Sequence, residues 1–505
     1  MHFSEDNDNM IGHPTIRKWM NKKTGYGALL LSFFLLAYIL PLGARSLVVP
    51  DETRYAEIPR EMIAGGDWIV PHLNGLRYFE KPALGYWVHA GVLLLFGENN
   101  FSVRLPSALA VGLSALLIFA LARLPARKRD GEDDFPAVLA ALVFLSCFEV
   151  FGIGNTAVLD SLFSFLLTAS ITAFFFASEE QPGSGRERGF LLLAGLSCGL
   201  AFLTKGFLAF AVPVLALVPY LIWQRRYRDL LRMGWLPLLV AILTALPWSI
   251  AIHLREPDFW RFFFWNEHVR RFMAENAQHK ESFWFFLLTA PGMFFPWIFM
   301  VPAAVPGVKT RLFGLILVAF LGVQFLGFNG LHPYGEPWRV MMVVNGLVFF
   351  ILFCFWAFKS RMGKDKALTF GLAPLLLFLV AHFAIPDLTL ESKAPGILLE
   401  QHKQEVIDKE IVIADEDSLS AACWYLGRSD LYVIGGAGEL DYGLTYQDAA
   451  GRLLDLPAVR ELIARNRGKA VLIARAKKIS PWRDRLPATV FENQNGTSGY
   501  VIWRY

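Results

Sequence analysis

Repeated apolar runs of near 20 residues, separated by charged breaks, leave this chain few ways to fold. A helix needs roughly 20 apolar residues to cross a ~30 Å hydrocarbon core, where every backbone polar group must be satisfied internally. Such runs lie near 25–43, 104–124, 135–152, 160–178, 189–204, 206–223, 234–252, 284–304, 311–329, 338–358 and 367–386. They account for a composition that is 55% hydrophobic and 18% charged, too apolar for a soluble protein. The expected fold is a polytopic α-helical membrane protein of about 11–13 spans. A net charge of +4 is too small to imply nucleic acid, and four cysteines give no disulfide framework.

Charge placement sets the orientation. With residues 1–24 as a cytoplasmic tail, Arg17, Lys18, Lys22 and Lys23 precede a first span that lacks a cleavage site and so stays as an anchor. The basic residues at 123–129, 186–188, 225–232, 309–311 and 359–366 then all fall in cytoplasmic loops, and the chain's C-terminal part emerges outside. This requires the apolar stretch 82–97, with Tyr86, Trp87 and His89, to lie along the membrane face. Counting it as a span would put the cluster at 127–129 outside, and the residues alone leave that choice open.

Two outer loops are long, 44–103 and 253–283. Against the usual bias they hold Arg45, Arg54, Arg60, Arg77 and Lys81, then Arg255, Arg261, Arg270, Arg271 and Lys280. A guanidinium fork matches phosphate oxygens, so a lipid phosphate is one reason for such charges, and solvated loop charges are the plain alternative. Asp51 and Glu52 open the first loop, either as helix-capping carboxylates or as a base at the interface. Residues 25–386 form the membrane domain. From 387 to 505, runs such as E-I-V-I-A-D and K-A-V-L-I-A-R alternate with helical patterns, which predicts a small α/β domain outside the membrane. Within it G-G-A-G at 435–438 lacks the spacing of a dinucleotide fingerprint and reads as a turn.

The string D-E-T-R-Y-A-E-I-P-R-E-M-I-A-G-G-D-W-I-V-P-H-L-N-G-L-R-Y-F-E-K-P-A-L-G-Y-W, 51–87, resembles the first outer loop of the lipid A aminoarabinose transferase family and its GT-C relatives, including protein O-mannosyltransferases. The resemblance extends through F-S-V-R-L-P-S-A-L at 101–109, Asp160, F-L-T-K-G at 202–206 and W-N-E-H-V-R-R-F at 265–272. It implies a multi-pass inner-membrane glycosyltransferase of GT-C type, with its C-terminal domain periplasmic. The enzyme would move an amino sugar such as 4-amino-4-deoxy-L-arabinose from a polyprenyl-phosphate donor to lipid A or another envelope acceptor.

The resemblance also implies roles. Asp51 is the first-loop carboxylate that deprotonates or orients the acceptor, with Glu52 beside it, and Asp160 is similar to the second carboxylate, which positions acceptor or donor sugar, where a helix-starting cap is the equal alternative. Lys81, Arg270, Arg271, Tyr334, Arg54 and Tyr78 would bind the donor phosphate. Glu80 and His268 are similar to a pair able to hold a divalent metal, Zn or Mg/Mn, although no cofactor is required; by spacing alone two ligands are too few for a zinc site. Lys205 reads as a lysine reaching for the interface, or as a sugar or phosphate contact. The chain departs from the family at F-N-G-L-H-P-Y-G-E-P-W-R-V, 328–340, where an expected Lys is missing; Glu336 would meet an amino sugar or pair with Arg339. A protein or glycan acceptor remains the alternative within enzymes. A lipid or sugar transporter is the alternative outside them, disfavoured because the charges gather in outer loops and at span ends.

Overall fold

The computed structural model describes residues 23–128, 134–270, 284–300, 335–359, 363–495 and 499–505. The expected span at 311–329 lies outside these, as do Arg271, Tyr334, the end of the 284–304 span and the side chain of His268.

The other apolar runs are helices. They are α1 (Lys23–Phe34, continued by a π-helical turn Leu35–Ile39), α4 (Asn100–Lys128), α5 (Phe135–Leu145), α6 (Phe148–Gly154), α7 (Leu159–Glu179), α8 (Gly185–Lys205), α9 (Leu208–Trp223), α10 (Tyr227–Arg255), α11 (Trp284–Met293), α12 (Pro337–Lys359), α13 (Gly363–Leu372) and α14 (Leu375–Ala381), with α2 (Asp51–Gly65) and α3 (Leu84–Phe96) between the first and the next. Among the described residues five helices are long and apolar enough to cross a membrane, six if α5 and α6 form one broken span bent by 65°. That break has a cause. Cys147 is extended, and the amide of Phe148 donates across to the Phe295 carbonyl at 2.9 Å instead of back along its own helix. The run at 367–386 is likewise split before α14, where Pro374 has no amide to donate.

The stretch at 82–97 forms α3, whose 13 residues reach only about 20 Å. Tyr86 and His89 are buried on the side that packs against α2, α4 and α8, while Leu94, Leu95 and Phe96 are exposed. Helices α8 and α10 touch through Gly195 and Gly199. A Cβ at either would lie 2.5–2.6 Å from the carbonyl of Pro237 or Ala241, so only glycine permits this approach.

The first outer loop hangs on a buried carboxylate. Glu52, fully enclosed, accepts from Arg104 Nε at 2.6 Å and Nη2 at 2.8 Å, and from Arg45 Nη1 at 2.5 Å. It also accepts from the amides of Val48 (2.8 Å) and Ala157 (3.1 Å). Arg104 spends its remaining donors on the carbonyls of Leu42, Arg45 and Ser46. Burial alone raises the Glu52 carboxyl, but the two arginines outweigh it and hold the group well below the ordinary carboxylate range. One residue thereby joins the end of α1, the start of α2, α4 and the turn into α7.

The C-terminal part is the α/β unit expected, with strands β3 (Ile411–Asp415), β4 (Tyr432–Ile434), β5 (Leu453–Leu454), β6 (Ala470–Arg475), β7 (Phe491–Gln494) and β8 (Tyr500–Arg504), following a two-stranded hairpin β1 (His72–Leu73) and β2 (Leu76–Arg77) in the first outer loop. The sheet order is β5-β4-β3-β6-β8-β7, parallel from β5 to β6 and antiparallel beyond. Asp415 caps α15 (Glu416–Leu426) by accepting from the Ser418 amide at 3.0 Å. This unit is packed onto the outer loop and shares one apolar core with it. Asn74, at the hairpin tip, exchanges two 2.9 Å hydrogen bonds with the backbone of Leu431; the hydroxyls of Thr53 and Ser420 meet at 2.8 Å; the Leu47 amide donates to Tyr425.

Removing one partner of a buried ion pair costs about 3–5 kcal/mol. Arg104→Met is therefore expected to lower the thermal unfolding midpoint in detergent micelles sharply, while Asp51→Asn, half-exposed one residue away, shifts stability by less than about 0.5 kcal/mol. Because the folded value of Glu52 is depressed, its contribution is present above about pH 4.3 and is lost only as pH falls further, so the deficit persists throughout neutral pH. An Arg104→Met protein as stable as wild type would dismiss the hub.

Candidate functional site

Helix α2 starts at Asp51, next to the Glu52 hub, and carries Arg54 and Tyr55 one turn on. Asp51 is half-exposed and pairs with Arg54 Nη2. Asp160, equally exposed, stands in the first turn of α7, three residues after the Ala157 amide that Glu52 holds. It pairs at 2.5 Å with Lys205, the last residue of α8. Lysine 205 is thus part of a carboxylate pair and not merely a side chain reaching for the interface.

The hydroxyl of Tyr55 reports what surrounds it. Burial first, opposed by Arg54 and reinforced by Asp51, Asp160 and Glu80, pushes it up to about 12. Three carboxylates singled out in the sequence thus act electrostatically on one buried aromatic residue. The Arg54 guanidinium lies 5.2 Å from the Tyr55 ring centroid, the Tyr86 ring lies tilted at 6.2 Å from it, and the His89 ring stacks at 6.4 Å. Burial also holds Tyr78 and Tyr86 well above the ordinary tyrosine value, so all three stay O–H donors even at alkaline pH where an exposed tyrosine would ionise.

The two long outer loops meet here. Lys81 Nζ donates to the Glu80 carbonyl at 2.9 Å, lies 3.9 Å from the Glu80 carboxylate, and reaches Glu267 at 3.4 Å. Glu267 belongs to a π-helical segment, Arg261–Arg270, whose exposed last residue Arg270 follows three residues later. Phe79 packs edge-on against Phe259 and Phe262 of the same loop, and Arg77 pairs with Glu256 at 2.8 Å. Several outer-loop cations thus have carboxylate partners within the protein: Arg45 with Glu52, Arg60 with Glu57, Arg77 with Glu256 and Asp448, and Arg255 with Asp67. A lipid phosphate is not needed to explain them.

Glu52 sits differently from Asp51. Both of its oxygens are taken by buried cations and amides, which suits it to hold the site's framework. Glu336 is exposed just before α12, and the buried Arg339 is held by Asp387 and by the Phe383 carbonyl at 2.9 Å. Among the described residues no three His, Cys, Asp or Glu side chains are grouped as metal ligands; Glu80 has Lys81 beside it, and the side chain of its expected companion His268 is not among those described. Two residues were not picked out from the sequence. Arg104 carried a signal, a charge at the start of an apolar helix, whereas Glu439 carried none. It comes from the C-terminal domain to pair with Arg54 and to accept from the Tyr78 hydroxyl at 2.7 Å.

Chemically, the site offers two half-exposed carboxylates, neutral tyrosine hydroxyls and a set of Lys and Arg side chains at one end of the helical domain. Such a set can hold an anion and orient or deprotonate a hydroxyl beside it.

Residues 25–263 match the family model described as dolichyl-phosphate-mannose-protein mannosyltransferase, and 390–502 match that of the arabinosyl transferase ArnT C-terminal domain. Curated relatives include the undecaprenyl phosphate-alpha-4-amino-4-deoxy-L-arabinose arabinosyl transferase of Shewanella sediminis, 37% identical over 88% of this chain and 92% of the relative. The protein of the same name from Aeromonas salmonicida is 38% identical over 88% and 93%. Among solved structures, ArnT from Cupriavidus metallidurans bound to undecaprenyl phosphate superimposes with a TM-score of 0.72, at 21% identity, covering 95% of this chain and 98% of that one. At that identity the likeness shows the fold.

Proposed function

The chain belongs to the undecaprenyl phosphate-alpha-4-amino-4-deoxy-L-arabinose arabinosyl transferase family, and from that premise we propose that it moves 4-amino-4-deoxy-L-arabinose from undecaprenyl phosphate to lipid A at the outer face of a bacterial inner membrane. The observation that carries this reading is the pairing of Asp51 with Arg54 at the start of α2 and of Asp160 with Lys205 at the start of α7, with the Arg54 guanidinium 5.2 Å from the Tyr55 ring and Lys81 between Glu80 and Glu267.

In the reaction the bond between the sugar's anomeric carbon and the donor phosphate oxygen breaks, and its electron pair leaves with undecaprenyl phosphate. A bond from the anomeric carbon to an acceptor oxygen forms. Asp51 deprotonates or orients that oxygen. Asp160, steadied by Lys205, positions the sugar or acceptor. Lys81, Arg54 and Arg270, with the Tyr78 hydroxyl, place positive charge and O–H donors where negative charge develops on the leaving phosphate, which lowers the barrier by electrostatic preorganisation. Arg271 and Tyr334 belong to the same proposed phosphate set on the family's pattern. Glu52 acts one step back, by holding Asp51 and the turn into α7 in register. The leaving group is already a lipid-anchored phosphate, so the scheme draws on neither a nucleotide nor a redox cofactor.

Expressed in a host without its own lipid A aminosugar transferase, the wild type is expected to add one aminopentose mass to lipid A in mass spectra, and Asp51→Asn to add none. No increment from properly inserted wild type with donor available would remove lipid A as acceptor. Asp160→Asn and Lys205→Met are each expected to lower kcat at least about tenfold, with the double variant near the worse single one, since the two act as a pair. Fully additive losses would separate their roles. On the proposed orientation, alkaline phosphatase fused at the C-terminus is active and fused at 226 is inactive; the reverse pattern would invert the topology.

A further inference from the structure

The loop after β4 belongs to the C-terminal domain, yet it ends inside the site of the membrane domain. In a parallel sheet the loops at the carboxyl ends of strands are the ones that present functional side chains. Here β4 ends at Ile434, and the chain turns through Gly435 (φ +87°) and Gly438 (φ +54°), conformations that favour glycine. Gly436 is packed so closely on α15 that a Cβ there would lie 2.4 Å from Glu416 Oε2, and Leu440 is buried. Between these anchors Glu439 is held out toward the first outer loop. It accepts from Tyr78 Oη at 2.7 Å and pairs with Arg54 Nη1, while Asp51 takes Arg54 Nη2.

A guanidinium gripped at both terminal nitrogens has its plane fixed. Its Nε–H is buried without a partner among the described residues, and so is the nearby Tyr86 hydroxyl. Buried donors are normally satisfied, so these two call for an acceptor that the described residues do not supply. We propose that Glu439 is a positioning residue of the transferase: from the C-terminal domain it fixes Arg54 and Tyr78 in the arrangement that receives the phosphate of the donor lipid. The inference rests on the transferase reading above and extends the site into a second domain. Docking of that domain does not depend on Glu439, because Asn74 with Leu431, Arg77 with Asp448 and Thr53 with Ser420 hold it separately.

The test uses the full-length enzyme in micelles, titrated with undecaprenyl phosphate and assayed for donor KM and kcat. Glu439→Gln keeps the shape and removes the charge; Glu439→Ala removes both. Each is expected to weaken undecaprenyl phosphate binding roughly tenfold or more and to raise donor KM by a similar factor, with kcat within about threefold of wild type. Glu439→Asp is expected to recover part of the loss, and Glu439→Ala to cost little further in an Arg54→Ala background. Unchanged binding in both variants, tighter binding, or a fall in kcat at constant KM would overturn the role while leaving the transferase reading intact. Wild type that fails to bind undecaprenyl phosphate would overturn both.

Discussion

The ion cluster of Glu52 with Arg104 and Arg45 is the constraint on which the long segment between α1 and α4 depends. Three charges with almost no exposed surface are costly to desolvate, and they persist because each finds several partners. The carboxylate accepts from two guanidinium groups and two amides, and Arg104 ties three carbonyls of the segment leaving the first span. The geometry that results is shared by both candidate catalytic carboxylates. Asp51 precedes the hub by one residue, and Asp160 follows its Ala157 contact by three. Their spacing is therefore set by one buried group and not by two flexible loops.

Around that frame the site is assembled from opposing charges. Asp51 with Arg54 and Asp160 with Lys205 each join a half-exposed carboxylate to a partly buried cation, while Lys81 bridges the first outer loop to Glu267 of the middle one. Neutral tyrosines lie among them: a phenol is already protonated near pH 7, and burial takes Tyr55, Tyr78 and Tyr86 still further from ionising. The arrangement suits a reaction in which a lipid-anchored phosphate must be held before and after it gains charge. Cations neutralised inside the protein stay solvent-poor, and hydroxyls lend hydrogen bonds without adding charge.

The C-terminal domain is more than a cover. Its α/β pattern was readable from alternating strand and helix runs, and each expected strand from 411 to 504 is present. Its part in the site was not readable, because Glu439 follows an ordinary glycine turn and becomes notable only when that turn is set against Arg54 and Tyr78, more than 350 residues earlier in the chain. Glu52 taught the complementary lesson. Beside Asp51 in sequence it looks like half of an acidic pair, but successive helical side chains point about 100° apart. One faces the site and the other the interior.

The sequence by itself located the apolar helices seen among the described residues, the long loops between them, the separate α/β pattern after 387 and the string from Asp51 to Trp87 that carries the family. These are local properties: apolar runs long enough for a bilayer, charges that break them, and strand periodicity. Tertiary structure alone decided that the runs at 135–152 and 367–386 are broken, that Arg45, Arg60, Arg77 and Arg255 meet carboxylates of this chain, and that Lys205 belongs to Asp160. Each of these depends on which groups from distant segments are brought within hydrogen-bonding distance. A charge states only that it needs a partner, and the fold chooses which one.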